Sequence, residues 1–175
     1  MIIQAKYWRV VNTVKYILEV IEDKCDACGD CVYACSLAKT GILDYSLSAI
    51  RIRTEGGIRV NVVVCRHCHP APCAEVCEFN AIRIDESTGA VVLDRSLCTS
   101  CKACLAVCPF GAIIEASNGS LIKCDLCGGD PECVKACSKG ALVFVKTPVG
   151  RHLVREKRVV KTLLDIVEKH KVKEV

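Results

Sequence analysis

Cys98-Thr99-Ser100-Cys101-Lys102-Ala103-Cys104-Leu105-Ala106-Val107-Cys108-Pro109 is the stretch from which the rest of the chain can be read. Its spacing, Cys-x2-Cys-x2-Cys-x3-Cys-Pro, is the bacterial run that holds a cubane [4Fe–4S] cluster. Three thiolates within seven residues wrap one corner of the cube, and the fourth reaches a neighbouring cluster. Three boxes of the same kind stand elsewhere: Cys25-x2-Cys28-x2-Cys31-x3-Cys35, Cys65-x2-Cys68-x4-Cys73-x3-Cys77 and Cys124-x2-Cys127-x5-Cys133-x3-Cys137. The boxes use all 16 cysteines. Because each lends its last thiolate outward, boxes work in pairs, and this predicts two pairs and four [4Fe–4S] clusters.

At 175 residues the chain has room for one domain or two small ones. The start, Met1 to Arg9, shows no apolar signal run or twin arginine, and no stretch is long enough to span a bilayer. A cytoplasmic setting is expected, where clustered cysteines favour metal over disulfides. The formal charge of +4 counts cysteines as neutral. With ligating thiolates and about −2 per oxidised cubane, four clusters add about −8 and leave the loaded protein near about −4. Net charge therefore gives no support to a nucleic-acid partner. Residues 146 to 175 are the basic part, with nine Lys/Arg against four Asp/Glu. One Gln, four Asn and one Met follow the thermophile trend.

In chain order, residues 1 to 15 have no clear period and stay unassigned. Tyr16, Leu18 and Val20 alternate with Ile17, Glu19 and Ile21, which predicts a strand entering the first box. Within that box Gly29 supplies backbone freedom. A hairpin follows: Ile50 and Ile52 on one face, a turn at Glu55-Gly56-Gly57, and Ile58, Val60 and Val62 returning. Arg51, Arg53 and Arg59 fall on its other face, which is expected to be solvated. A second hairpin runs through Ile82 and Ile84, turns at Asp85 to Gly89, and returns along Val91-Val92-Leu93. After the third box come Gly111 to Ile114 and a loop at Asn118-Gly119; after the fourth, Ala141 to Val145 predicts a strand. Beyond Pro148 and Gly150, Val159, Val160, Leu163, Leu164 and Val167 form an apolar stripe at helical spacing.

The second box also contains Cys65-x-x-Cys68-His69, the c-type haem attachment pattern, but haem would strand Cys73 and Cys77. His67 and His69 are expected beside the metal site or on the surface and not as ligands. Zinc is the other rival, since Cys-x2-Cys pairs ligate it. Zinc folds separate their pairs, whereas here three or four cysteines crowd into each box.

Two pairings compete: first box with second and third with fourth, or the nested arrangement of second with third and first with fourth. The short hairpin between the second and third boxes favours nesting, with the strand before the first box closing against the strand after the fourth. The nested sets are Cys25, Cys28, Cys31 and Cys137 (set I); Cys124, Cys127, Cys133 and Cys35 (set II); Cys65, Cys68, Cys73 and Cys108 (set III); and Cys98, Cys101, Cys104 and Cys77 (set IV). The fold expected is α+β: two nested bacterial-ferredoxin-like, two-cluster units with short hairpins and short helices, plus a C-terminal amphipathic helix. The outer unit takes residues 16–63 with 110–146, the inner unit 64–109, and residues 147–175 form the basic helix or tail.

This pattern resembles the electron-transfer subunit of molybdenum- and tungsten-pterin oxidoreductases: dimethyl sulfoxide reductase, formate dehydrogenase and tungsten aldehyde oxidoreductases. Cys65-Arg66-His67-Cys68 with Pro72-Cys73, and Lys123-Cys124-Asp125-Leu126-Cys127, sharpen the likeness over residues 16 to 146. Ser36, Glu78 and Ser138 stand where family members often carry proline. The resemblance implies a relay of single electrons between a larger catalytic subunit, a pterin tungsten or molybdenum enzyme by preference, and a soluble carrier or further redox subunit. A hydrogenase or carbon monoxide dehydrogenase partner, or a free-standing polyferredoxin, is the alternative. No dinucleotide or phosphate-binding motif and no nucleophile pattern stands out, so the chain is expected to do no bond chemistry itself.

Overall fold

The computed structural model describes residues 15–56 and 59–147. The C-terminal apolar stripe and the first fourteen residues lie outside them. Eight strands pair as four separate two-stranded antiparallel sheets, joined by short helices, in a mixed α+β ferredoxin-like arrangement.

The alternating stretch before the first box forms β1 (Lys15–Val20). Its partner comes from the far end of the described chain, β8 (Leu142–Thr147), with Leu18 opposite Phe144 and Val20 opposite Leu142. Leu18 is buried, and the Tyr16 and Phe144 rings stack at 5.0 Å on the diagonal. Such a ring pair adds about 0.5–1.5 kcal/mol beyond its area. The other sheets are local hairpins. β2 (Arg51–Glu55) pairs β3 (Arg59–Val63), and β4 (Ile82–Ile84) pairs β5 (Val91–Leu93), both where the alternation predicts. The third hairpin, β6 (Ile113–Glu115) with β7 (Leu121–Lys123), has a return strand that the sequence reading lacks. All three residues of β7 are buried, so Leu121-Ile122-Lys123 shows no alternation of apolar and polar faces.

A short phrase recurs before three of these strands. Glu78-Phe79-Asn80-Ala81-Ile82, Pro109-Phe110-Gly111-Ala112-Ile113 and Ser138-Lys139-Gly140-Ala141-Leu142 each follow the last cysteine of a box. Asn80, Gly111 and Gly140 adopt left-handed φ of 52°, 59° and 60°, a region open to glycine and tolerated by asparagine. The chain so reverses, buries the small Ala81, Ala112 or Ala141, and enters the strand. This repeat was legible in the sequence and went unused.

Helices are brief. The longest, α1 (Asp30–Thr40), starts inside the first box and carries Cys31 and Cys35 on one buried face, one turn apart. α2 (Pro72–Glu75), α3 (Ala103–Ala106) and α4 (Glu132–Lys135) are single turns spanning the x3 gap of the other boxes. α1 packs on α4. Two apolar cores result. One gathers Leu18, Val32, Ile50, Val64, Ile122 and Leu126 with five buried cysteines; the other gathers Ala71, Ile82, Val91, Ile113 and Leu121 with Cys104. The β6–β7 hairpin serves both, because Ile114 and Ile122 face the first core while Ile113 and Leu121 face the second.

One expectation needs correcting. Arg51 is not solvated: its guanidinium donates to the carbonyls of Ser48 (2.7 Å), Ile50 (3.0 Å), Ser46 (3.0 Å) and Tyr45 (3.1 Å). The turn at Tyr45–Leu47 leaves carbonyls without helical partners, and a planar five-donor fork satisfies several at once. Arg53 is exposed as expected, and the Arg59 side chain lies outside the described atoms.

Candidate metal centres

Each box folds by the same local device. The residue just before its second cysteine is left-handed without being glycine: Ala27 (φ 61°), His67 (46°), Ser100 (58°) and Leu126 (59°). Such turns aim successive N–H groups into a concavity. Accordingly, the His67 N–H donates to Cys65 Sγ (3.4 Å) and the Leu126 N–H to Cys124 Sγ (3.5 Å). At the other end of two boxes, the Ala112 N–H donates to Cys108 Sγ (3.3 Å) and the Ala141 N–H to Cys137 Sγ (3.2 Å). These donors favour thiolate over thiol. The sequence reading credited Gly29 alone with this role.

Three enclosed spaces are lined by four cysteines each. Cys25, Cys28, Cys31 and Cys137 surround one; Cys65, Cys68, Cys73 and Cys108 a second; Cys77, Cys98, Cys101 and Cys104 a third. Among the described residues, no three His, Cys, Asp or Glu converge closely enough for a single metal ion. Four sulfurs set around one space without converging on a point suit a multi-iron cluster and do not suit the tight tetrahedron of zinc.

Burial and mutual repulsion act on these thiols together. Burial pushes Cys31 up to about 12, with Cys137, Cys25 and Cys28 adding to it. Cys104 is raised by burial and then by Cys98, Cys101 and Cys77. Cys133 is raised by burial and then by Cys124, Cys35 and Cys127, which brings set II together around the α1–α4 contact. Four repelling thiols in an enclosed space are a donor set that iron would relieve by replacing protons with positive charge. The same repulsions reveal which boxes adjoin. Cys133 feels Cys31, Cys124 feels Cys65, and Cys73, pushed up to about 11 chiefly by burial, feels Cys104. Thiols of the fourth box thus lie near thiols of the first and second boxes, and a thiol of the second lies near one of the third.

Cys65 departs from this pattern. Burial would raise its thiol, yet the Lys123 ammonium and then His67 hold it well below the ordinary range. Lys123 Nζ lies 3.2 Å from Cys65 Sγ. His67 is fully buried between two cysteines, which removes the surface alternative. Its Nδ1 accepts the Val91 N–H at 3.0 Å, and its Nε2 meets no hydrogen-bond partner among the described residues. Near set II, Lys39 pairs with Asp125 at 2.5 Å, and Asp125 also accepts the Cys127 N–H at 2.8 Å. Lys123 entered the sequence reading only inside a motif, although a lysine directly after Leu121-Ile122 and before a cysteine is the visible signal.

Thiol-lined cavities within short antiparallel hairpins define the class of iron–sulfur electron-transfer proteins. Residues 59–147 match the 4Fe-4S dicluster domain. The chain belongs to that family and binds [4Fe–4S] clusters. It is 39% identical over 136 residues to the polyferredoxin-like subunit of aliphatic sulfonate oxidoreductase from Pyrococcus furiosus, covering 76% of this chain and 78% of that one. It is 38% identical over 128 residues to the beta subunit of NADH-dependent phenylglyoxylate dehydrogenase from Aromatoleum evansii, covering 71% of this chain and 29% of the relative. To hydrogenase-4 component A of Escherichia coli it is 32% identical over 177 residues, covering 77% and 84%. No helix among the described residues is long and apolar enough to cross a membrane.

Proposed function

We propose that this chain holds four [4Fe–4S] clusters in sets I to IV and conducts single electrons along them in that order. One end would meet a larger catalytic oxidoreductase subunit and the other a soluble carrier or further redox subunit. The observation that carries this reading is crosswise lending. Three cavities are each lined by three cysteines of one box and one of another, and Cys133 lies within electrostatic reach of Cys124, Cys127 and Cys35, which supports the same arrangement for the fourth. The outer unit, 16–63 with 110–146, would hold sets I and II, and the inner unit, 64–109, sets III and IV, with the β6–β7 hairpin packing on both. Fully sulfur-ligated cubanes leave no open iron for a substrate, so the chemistry would belong to the partner.

For that partner we favour a pterin enzyme of tungsten or molybdenum, on the quoted motifs; the sulfonate oxidoreductase relative supports a catalytic oxidoreductase subunit as partner. The hydrogenase-4 relative supports a hydrogenase as the second reading. A reducing, cytoplasmic setting suits sixteen thiolate ligands. Anaerobic purification of the natural complex, with metal and sulfide analysis, tests all of this. About sixteen irons and sixteen sulfides per chain are expected, with tungsten or molybdenum in the large subunit. About eight irons would overturn the four-cluster reading, and nickel in the large subunit would replace the pterin enzyme with a hydrogenase.

A further inference from the structure

We propose that Lys123 is a built-in cation that raises the reduction potential of the cluster held by set III. The inference rests on the ligand sets proposed above. Lys123 is only 5% exposed and ends β7, directly before Cys124 of set II. All three of its ammonium hydrogens have acceptors: Cys65 Sγ at 3.2 Å, the Cys124 carbonyl at 3.4 Å and the Val91 carbonyl. The side chain also lines the set III cavity itself. It therefore touches a thiolate of one set and the backbone of the next, at the boundary between the two pairs of boxes.

The physics follows from charge. Reducing a cubane adds one electron to a group that is already anionic, and hydrogen bonds and charge near its sulfurs set the potential. A buried ammonium against Cys65 favours the reduced form, and water and salt screen it little. Arg66 lines the same cavity but is more exposed than Lys123. Lys102 is half exposed and paired with Glu115, and Lys139, also exposed, faces Asp26. A purely structural lysine, by contrast, would fix the β5–β7 contact through Val91 and leave potentials unchanged.

The test is an EPR-monitored redox titration, with iron counting, on the full chain in its natural complex. Lys123→Met and Lys123→Gln remove the charge, Lys123→Arg keeps it, and Cys65→Ser marks the set III signal. Both neutral variants should keep all their iron and lower one midpoint, that of the signal altered in Cys65→Ser, while Lys123→Arg stays near the native value. Unchanged midpoints in an iron-complete neutral variant would overturn the proposal. So would a shift in a signal that Cys65→Ser leaves alone. Loss of iron from both neutral variants would assign the lysine to assembly instead, and would overturn it equally. The iron count of the unaltered protein reports separately on the four-cluster reading.

Discussion

Cys137 is the residue on which the topology can be tried most directly. It belongs to the fourth box, yet it lines the cavity of the first beside Cys25, Cys28 and Cys31. Cys137→Ser should therefore cost the same cluster as Cys25→Ser, and the double variant should lose no more iron than either alone. Combined with Cys98→Ser, the losses should add, since distant sites are independent. Iron analysis with EPR reads both outcomes, and losses that add for Cys25 and Cys137 would refute the crosswise sets. At the same scale, Arg51 illustrates how a surface-patterned residue becomes structural. Its guanidinium gathers the carbonyls of residues 45 to 50, and the Tyr45 ring lies 5.5 Å beneath. Arg51→Met should destabilise by about 1–3 kcal/mol, because several carbonyls lose a charged donor. A thermal melt of the iron-loaded protein measures it, and the midpoints of the clusters should not move.

Besides the β6–β7 hairpin, the turn between β4 and β5 makes a long-range tie. Asp85 accepts hydrogen bonds from the Ser87 Oγ (2.8 Å), the Thr88 N–H (3.2 Å) and the Thr88 hydroxyl. The Thr88 carbonyl in turn accepts the Tyr16 N–H of β1 at 3.4 Å, so the β4–β5 hairpin meets the β1–β8 sheet. The hydroxyl bonds from Thr88 and then Ser87 hold the Asp85 carboxyl below the usual carboxylate range. The folded value lies below the unfolded one, so the stabilisation is present above about pH 3.9 and is lost as pH falls through the depressed folded value. Asp85→Ala should lower stability at neutral pH by about 1 kcal/mol and flatten the acid limb of the stability profile. An unchanged acid limb would place the titration elsewhere. The β1–β8 sheet is the other long-range element: Leu18→Ala, at a fully buried site, should cost about 2–5 kcal/mol in a melt.

At the scale of the molecule, iron and protons compete for the same sulfurs. Cys31 and Cys124 are each pushed up to about 12, chiefly by burial, so in the iron-free fold they carry protons at neutral pH. Assembling clusters must release those protons, and reconstitution in weak buffer should acidify the medium. The pH dependence then has opposite signs in the two forms. In the iron-free fold these thiols bind more protons than in the unfolded chain above about pH 8.5, so its stability falls as pH rises toward 12. The loaded protein should instead lose iron in acid, as protons displace it. Melts of both forms across pH check the signs, and parallel profiles would contradict the shared-ligand account.

Much of this was written in the order of residues. The cysteine spacings alone specify cubane ligation, because three thiolates so close in sequence can reach one corner whatever the rest of the chain does. The period-two stretches at Tyr16 to Val20, Ile50 to Val62 and Ile82 to Leu93 mark strands because one face of each is apolar. Other features depended on three dimensions. β7 is buried along its whole length and so lacks alternation, and the left-handed turns at Ala27, His67, Ser100 and Leu126 carry no glycine to announce them. The burial of His67 and Lys123 arises only when β5 and β7 close over Cys65, since local sequence cannot say which polar groups lose their water. Sequence by itself determined what the sulfurs can bind. Tertiary structure decided which sulfurs meet and which charge sits beside them, because both depend on contacts between residues far apart in the chain.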